Sequence, residues 1–105
     1  MTNYNSAIPY IAGVYGEENQ LIQTAEEAAE LAQAALKRHK CLINKNTPIE
    51  ERIATCEHLA EEIADVLIMC EQIIYAEGFE DDVFKIIDEK IQRQLNRIKQ
   101  IRQSK

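Results

Sequence analysis

The chain has 105 residues, with 12 lysine and arginine residues against 18 aspartate and glutamate residues, and 46% of it is hydrophobic. This length predicts a single domain over residues 1–105, and the hydrophobic content excludes a disordered or collagen-like chain. The formal net charge of −6 argues against a nucleic-acid polymer as partner, because its phosphates would be repelled. Since so small a domain buries only roughly 65% of the surface of its unfolded chain, we expect a homo-oligomer.

Sequence features that would indicate export or a membrane are missing. No apolar run approaches the roughly 20 residues that a membrane-spanning helix requires, and the first residues do not resemble a secretory signal. The three cysteines, Cys41, Cys56 and Cys70, form neither a CxxC motif nor a complete set of disulfide pairs. We therefore expect a cytoplasmic protein with no membrane partner and with reduced thiols, of which Cys70 lies in the core.

The positions of glycine and proline predict an all-α fold, because they lie where helices would begin or end. Residues 1–14 show no clear period, so they are either irregular or a short helix. A first long helix is expected from residue 17 to about 40, because apolar residues recur there at helical spacing and form an alanine-rich face. Residues 41–47 then form a polar connection.

Two further long helices follow. Thr47, Pro48 and Glu50 match an N-cap, a proline at the first helical position and a capping-box glutamate, so the second helix is expected to begin at Pro48. Gly78 suits the left-handed residue that often follows a helix. The third helix begins near residue 81 or 82, and its apolar residues keep a helical period to the end of the chain.

Two pairs of acidic residues stand out. Glu27 and Glu30 lie three residues apart in the first long helix and therefore share a face, and Glu62 and Asp65 repeat this spacing in the second. Apolar residues flank the second pair, and an uncompensated buried carboxylate costs several kcal/mol. The four carboxylates must therefore be protonated, pair with cations or bind a metal, and their hard oxygen ligands suit Mg²⁺ or Mn²⁺.

The acidic residues have two other interpretations. The residues near Glu27 also fit an ordinary solvated face, since glutamate is common in helices, but an acidic pair inside an apolar helix does not. A di-iron bundle requires Glu-x-x-His motifs. Neither His39 nor His58 has a glutamate three residues before it, so we assign both histidines to surface or packing roles.

Basic and aromatic residues suggest contacts to a ligand. Lys90, Arg93 and Arg97 lie along one edge of the third helix, where they either reach a phosphate chain or serve solubility and surface ion pairs. Tyr15 and Gln20 precede the first acidic pair and offer a ring and an amide to a base.

Taken together, these motifs are recognisable. They are Tyr15-Gly16 with Gln20, the EExxE motif of residues 26–30, the ExxD motif of residues 62–65, and Lys90-x-x-Arg93. This order resembles the MazG-like nucleotide pyrophosphohydrolases over roughly residues 15 to 97. The resemblance implies an antiparallel bundle of three long helices with a short N-terminal segment, completed as a dimer or a dimer of dimers.

The resemblance also implies an activity, the Mg²⁺-dependent hydrolysis of an NTP or dNTP to the monophosphate and pyrophosphate, in nucleotide-pool housecleaning. The metal ligands would be Glu27, Glu30, Glu62 and Asp65, with Mn²⁺ as a substitute for Mg²⁺. Glu26 would be the catalytic carboxylate that orients or deprotonates water. By the same resemblance, Lys90, Arg93 and Arg97 would bind the phosphates, and Tyr15 and Gln20 the base. The alternative is a non-catalytic module that keeps the fold and binds a basic partner or a nucleotide.

Overall fold

The computed structural model describes residues 6–104, which form four α-helices joined by short connections. The helices are α1 (Ala7–Tyr15), α2 (Glu17–Ile43), α3 (Ile49–Glu77) and α4 (Glu80–Gln103). The predicted all-α fold is therefore confirmed, with the three long helices in the expected order. None of these helices combines the length and the apolar character needed to cross a membrane.

The N-terminal segment was predicted to be either irregular or a short helix, and its described part is the short helix α1. Residues 1–5 lie outside the described residues. Pro9 is tolerated because it falls in the first turn of α1, where backbone N–H groups have no helical partner. Ile8 and Ala12 are buried and attach α1 to the long helices. Gly13 lies inside α1, so the expectation that every glycine marks a helix end is wrong there.

The connection between α2 and α3 is shorter than predicted. Helix α2 continues to Ile43, so Cys41 is a buried helical residue and the connection covers only residues 44–48. Helix α3 begins at Ile49, one residue later than predicted, and no side chain caps its N-terminus, so the predicted capping box of Thr47 and Glu50 is wrong. Arg52 instead stabilises the turn by donating to the carbonyls of Thr47 at 3.3 Å and Asn44 at 3.1 Å.

Helices α2 and α3 form an antiparallel hairpin, the most extensive contact between helices in the described chain. Near the connection, Arg38 of α2 donates to the carbonyl of Arg52 at 2.7 Å and to the hydroxyl of Thr55 at 3.3 Å. At the opposite end, hydrogen bonding and charge repulsion from Glu17 raise the pKa of Glu77 above its ordinary value. The start of α2 therefore meets the end of α3.

Helix α4 has little contact with the other helices and buries none of its residues. It follows Gly78 and begins at Glu80, slightly before the predicted start. Because α4 extends away from the hairpin, the radius of gyration is 17.8 Å, against about 13 Å for a compact domain of this length.

Many apolar residues of the chain remain exposed. The alanine-rich face of α2 buries Ala34, which is 1% exposed, but most of its other alanines are exposed. Cys70 is exposed as well, so its predicted place in the core is wrong for the single chain. The buried residues of α2 and α3 are half polar and half apolar, while many of the larger apolar side chains of both helices are exposed.

Gly78 should tolerate alanine poorly. It ends α3 in the left-handed region, with φ 69° and ψ 30°, and donates its N–H to the carbonyl of Ile74 at 3.0 Å. An added Cβ would meet no atom within 4 Å, so backbone strain alone should cost about 1 kcal/mol. We expect Gly78→Ala to lower the Tm by about 4–8 °C in thermal unfolding.

Gly13→Ala is the matched control for that substitution. Gly13 also has no atom within 4 Å of an added Cβ, but it lies inside α1 and its φ is not positive. Alanine is the better helix former by roughly 0.5–1 kcal/mol, so the Tm should rise slightly. Equal Tm changes in the two variants would show that the left-handed backbone of Gly78 is not what requires glycine.

Candidate metal centre

Three glutamates from two helices form a cluster on the α2–α3 seam. Helical spacing places Glu27 and Glu30 on the face of α2 that meets α3, and the antiparallel pairing brings Glu62 of α3 opposite them. One carboxylate oxygen of each residue lies within 4.8 Å of the corresponding oxygens of the other two. The structure thus brings together three of the four predicted metal ligands.

The cluster is partly buried and has unused acceptor capacity. Glu62 is only 8% exposed, and among residues 6–104 no hydrogen-bond donor reaches its Oε2 or the Oε2 of Glu27. The other oxygen of Glu27 accepts a hydrogen bond from Nε2 of Gln23 at 2.9 Å. Oε1 of Glu62 lies 3.9 Å from Nε2 of His58, which neutralises charge only when the imidazole is protonated.

Charge repulsion dominates the electrostatics of the cluster. The carboxylate of Glu27, followed by that of Glu62, raises the pKa of Glu30 above its ordinary value. Burial, a hydrogen bond to Glu62 and the more distant charge of Asp65 act in the same direction. The neighbouring carboxylates therefore disfavour the ionised form of Glu30, an effect that a bound cation would reverse.

The residues present fit a hard divalent cation. An octahedral Mg²⁺ ion with bonds of about 2.1 Å holds its ligand oxygens about 3.0–4.2 Å apart. The observed limit of 4.8 Å lies slightly above this range. All the available ligand atoms are carboxylate oxygens, the type that Mg²⁺ and Mn²⁺ prefer.

The other predicted acids lie beside the cluster. Asp65 is exposed, one turn after Glu62, and contributes its charge to the raised pKa of Glu30 without joining the group of three. Glu26 is exposed on α2 and lies outside the cluster. Its proposed catalytic role thus requires that the substrate extend to this side of α2.

The predicted phosphate-binding residues are not brought to the cluster by the single chain. Lys90, Arg93 and Arg97 are exposed along one flank of α4. In the part of the chain that the structure describes, none of them lies within 4.0 Å of a carboxylate oxygen. Their surface ion-pair alternative therefore finds no support within the single chain.

The predicted base-binding residues line a cavity of about 300 Å³ at the other end of the seam. Tyr15 is largely exposed at its edge, whereas Gln20 is 3% exposed and lies within it. Gln72 of α3, also 3% exposed, lines the same cavity. This cavity, which we call the amide cavity, is completed by Ile11, Asn19, Gln23 and Met69.

Sequence reasoning missed two residues of this seam. His58 precedes Glu62 by four residues, a spacing that places both on one helix face, so its proximity was predictable. Gln72 is 3% exposed in α3 and follows Asp65 by seven residues, a spacing of about two turns that places both on one side of the helix. That spacing was the available signal.

Comparison of the chain with models of protein families, with curated proteins and with solved structures finds no match. The fold and the cluster define an all-α protein with a carboxylate site between two antiparallel helices. The resemblance to the MazG-like family stays a prediction that depends on the motifs themselves.

Proposed function

We propose that the chain is a Mg²⁺-dependent nucleoside triphosphate pyrophosphohydrolase, which converts an NTP or dNTP to the monophosphate and pyrophosphate. The observation that carries this proposal is the meeting of Glu27 and Glu30 with the buried Glu62, whose Oε2 lacks a hydrogen-bond donor among the described residues. An isolated acidic face would leave its carboxylates in solvent. A buried carboxylate next to two others is better explained by a cationic ligand.

In this proposal Glu27, Glu30 and Glu62 hold Mg²⁺, or Mn²⁺ in its place, and Asp65 completes the set from the adjacent turn. The cation supplies Lewis-acid chemistry, neutralising the carboxylates and stabilising charge that develops on phosphoryl oxygens. His58 adjoins Glu62 and orients that carboxylate when protonated. The acidic surface thereby becomes able to accept a triphosphate.

The proposed reaction consumes one water molecule. Its oxygen bonds to the α-phosphorus, and the anhydride bond between the α- and β-phosphates breaks. Pyrophosphate leaves with the electron pair of that bond. The proton of the water passes to a carboxylate, a role that the motif resemblance gives to Glu26, which is exposed beside the cluster. Such an activity removes unwanted nucleotides from the cytoplasmic pool.

We further propose that the active form is a dimer or a dimer of dimers. Its support is the isolated position of α4, whose apolar face is exposed, together with the large radius of gyration. Lys90, Arg93 and Arg97 line a flank of this helix. Assembly would place these cations beside carboxylates or phosphates that the single chain does not offer them.

The proposal is tested by measuring pyrophosphate release from a panel of canonical and modified NTPs and dNTPs, with and without Mg²⁺. We expect release to require the cation and to fall about 100-fold or more in Glu27→Gln and Asp65→Asn, which remove ligand charge. Glu61→Gln is the matched control, because Glu61 is exposed and lies outside the cluster. A folded protein that releases no pyrophosphate from any nucleotide would instead favour the non-catalytic module.

A further inference from the structure

Helix α3 carries an apolar stripe on a side that the rest of the described chain leaves exposed. Six apolar residues recur there at alternating steps of three and four, which is the spacing of a coiled-coil seam. We call them the α3 stripe: Ile53, Cys56, Ala60, Ile63, Leu67 and Cys70. All six are exposed, and the two isoleucines and the leucine are between 42% and 52% exposed. A seam of this regularity indicates that another helix packs along it.

The same side of the α2–α3 hairpin is apolar on α2. Each residue of the α3 stripe directly follows a buried or half-buried residue, as Ile63 follows Glu62. On α2, exposed apolar residues likewise follow the three buried positions: Leu21, Ala35 and Leu42. Because the two helices run in opposite directions, a step of about 100° along each chain turns both sets to one side of the hairpin. The hairpin therefore presents one apolar face that is two helices wide, which we call the hairpin face.

The hairpin face is large enough for a stable dimer. On α3 the apolar spacing extends to Ile49 and Ile74, so the face is about 38 Å long. Two helices about 10 Å apart make it about 20 Å wide, which gives a footprint of about 750 Å². A standard protein–protein interface buries about 800 Å² on each partner. The face therefore has the area that an interface between two copies needs.

The order of small and large residues in the α3 stripe complements itself when the helix is reversed. A second α3, antiparallel about a twofold axis between residues 61 and 62, places every small residue of the stripe against a large one. Ala60 faces the partner's Ile63, Cys56 faces the partner's Leu67, and Cys70 faces the partner's Ile53. In a parallel pair each residue would face its own copy, which sets small against small and leaves voids that a packed core avoids. The stripe therefore fits an antiparallel second copy.

We propose that the hairpin face binds the same face of a second copy, with α3 antiparallel to the partner's α3, so that the two hairpins form a four-helix bundle. This inference rests on the oligomer proposed above and adds its interface, but it does not depend on catalysis. Helix α4 begins six residues after Ile74, so its apolar face continues the same interface. Helical spacing places Asp65 on the side of α3 opposite the stripe, so the acidic site of each copy stays open to substrate.

The native cysteines report the register of this pairing. In the proposed dimer the partner's Cys70 lies opposite Ile53, which is three residues or about 4.5 Å along the helix from Cys56. Within one chain, Cys56 and Cys70 lie 14 residues apart, or about 21 Å. A short bismaleimide should therefore link Cys56 to the partner's Cys70 and convert the native protein to a covalent dimer. The same reaction in denaturant is the control for chance collisions and should give no dimer.

Single substitutions distinguish the antiparallel register from its alternatives. Cys56→Ser and Cys70→Ser should each abolish the link, because every link requires both residues. Cys41→Ser should link as the native protein does, because Cys41 is 7% exposed and lies outside the stripe. Links that persist in both of the first two variants would join like residues and overturn the antiparallel register. A native protein that sediments as a dimer but forms no link overturns the hairpin face as its interface.

A charge at the centre of the stripe tests the interface without a reagent. Ala60→Glu buries a charge twice beside the twofold axis, so it should raise the dissociation constant about 100-fold or more. Ala54→Glu is the matched control, because Ala54 is exposed on α3 outside the stripe, and it should leave the constant unchanged. Equal constants for the two variants would overturn the inference.

Pyrophosphate release measured on the same preparations separates this inference from the catalytic proposal. A linked dimer that hydrolyses no nucleotide keeps the interface and contradicts catalysis. Metal-dependent hydrolysis by a protein that forms no Cys56–Cys70 link overturns the interface and leaves the catalytic proposal standing.

Discussion

Replacing Glu62 with glutamine should stabilise the metal-free protein while abolishing its response to Mg²⁺. Glu62 is 8% exposed, carries an oxygen that no described residue pairs with, and lies against Glu27 and Glu30. Removing the charge relieves repulsion and desolvation worth roughly 1–3 kcal/mol. We expect the Tm without metal to rise by about 4 °C or more.

The response to the cation should change in the opposite direction. A ligand that binds only the folded state stabilises the protein, and the gain grows with the logarithm of the ratio of ligand concentration to Kd. In the native protein, millimolar Mg²⁺ should therefore raise the Tm, whereas Glu62→Gln should show little change. Glu61→Gln replaces the neighbouring exposed glutamate and should keep the native response. A native protein whose Tm does not respond to Mg²⁺ or Mn²⁺ would contradict the metal centre.

The same cluster predicts a pH dependence. Glu27 and Glu62 raise the folded-state pKa of Glu30 above its ordinary value, so the folded protein holds this proton more tightly than the unfolded chain. The stability that Glu30 contributes without metal is therefore fully present below its ordinary pKa and is lost as the pH rises through the raised folded-state pKa. Glu77 contributes a change of the same sign.

Comparison with Glu62→Gln isolates the part of the pH dependence that is due to the glutamate cluster, because that variant leaves the pair of Glu17 and Glu77 intact. Thermal unfolding from pH 4 to pH 8 in a chelator should show a smaller loss of stability in Glu62→Gln than in the native protein. Parallel curves for the two proteins would mean that Glu62 does not influence the titration of Glu30.

The helical architecture was largely predictable because each long helix carries a local signal. Apolar periodicity predicted α2 and α4, and Gly78 predicted the left-handed end of α3. The capping box at Thr47 is not formed, and the side chain of Arg52 donates instead to two carbonyls of the turn, those of Thr47 and Asn44. Such a choice depends on how a long side chain folds back across the turn, which local patterns do not specify.

The candidate site was predictable where spacing alone determines a shared helix face. Glu27, Glu30 and Glu62 come together as the two acidic motifs predicted. The position of Gln72 beside Gln20 depends on the register between two antiparallel helices. That register is a property of the packed hairpin, so the sequence shows each amide but not their shared cavity.

The error over Cys70 has a different origin. Its apolar surroundings predicted a core residue, yet it is exposed in the single chain along with apolar residues of α2, α3 and α4. Hydrophobic periodicity identifies a face that avoids water but does not say which chain covers it. The buried residues of α2 and α3 are half polar, and the exposed apolar faces are the surfaces that the proposed assembly would cover.

Replacing Ile91 with glutamate should dissociate the proposed oligomer. Six residues at helical spacing form the apolar face of α4, and each is between 42% and 58% exposed: Phe84, Ile87, Ile91, Leu95, Ile98 and Ile101. Ile91 lies near the middle of this face. In a symmetric dimer the substitution occurs twice, and each lost isoleucine contributes about 1.5–3 kcal/mol of burial, so the dissociation constant should rise 100-fold or more.

Sedimentation over a range of concentrations measures this change directly. The native protein should sediment as a multiple of its 12.1 kDa chain, and Ile91→Glu should shift to the single chain. Gln92→Glu places the same charge on an exposed position of α4 that belongs neither to the apolar face nor to the flank of the cations, so it should keep the native mass. If the cations of α4 act on phosphate only in the assembly, pyrophosphate release should fall in Ile91→Glu and persist in Gln92→Glu. A native protein that remains a single chain at micromolar concentration would mean that the apolar face of α4 is covered by something other than a second copy.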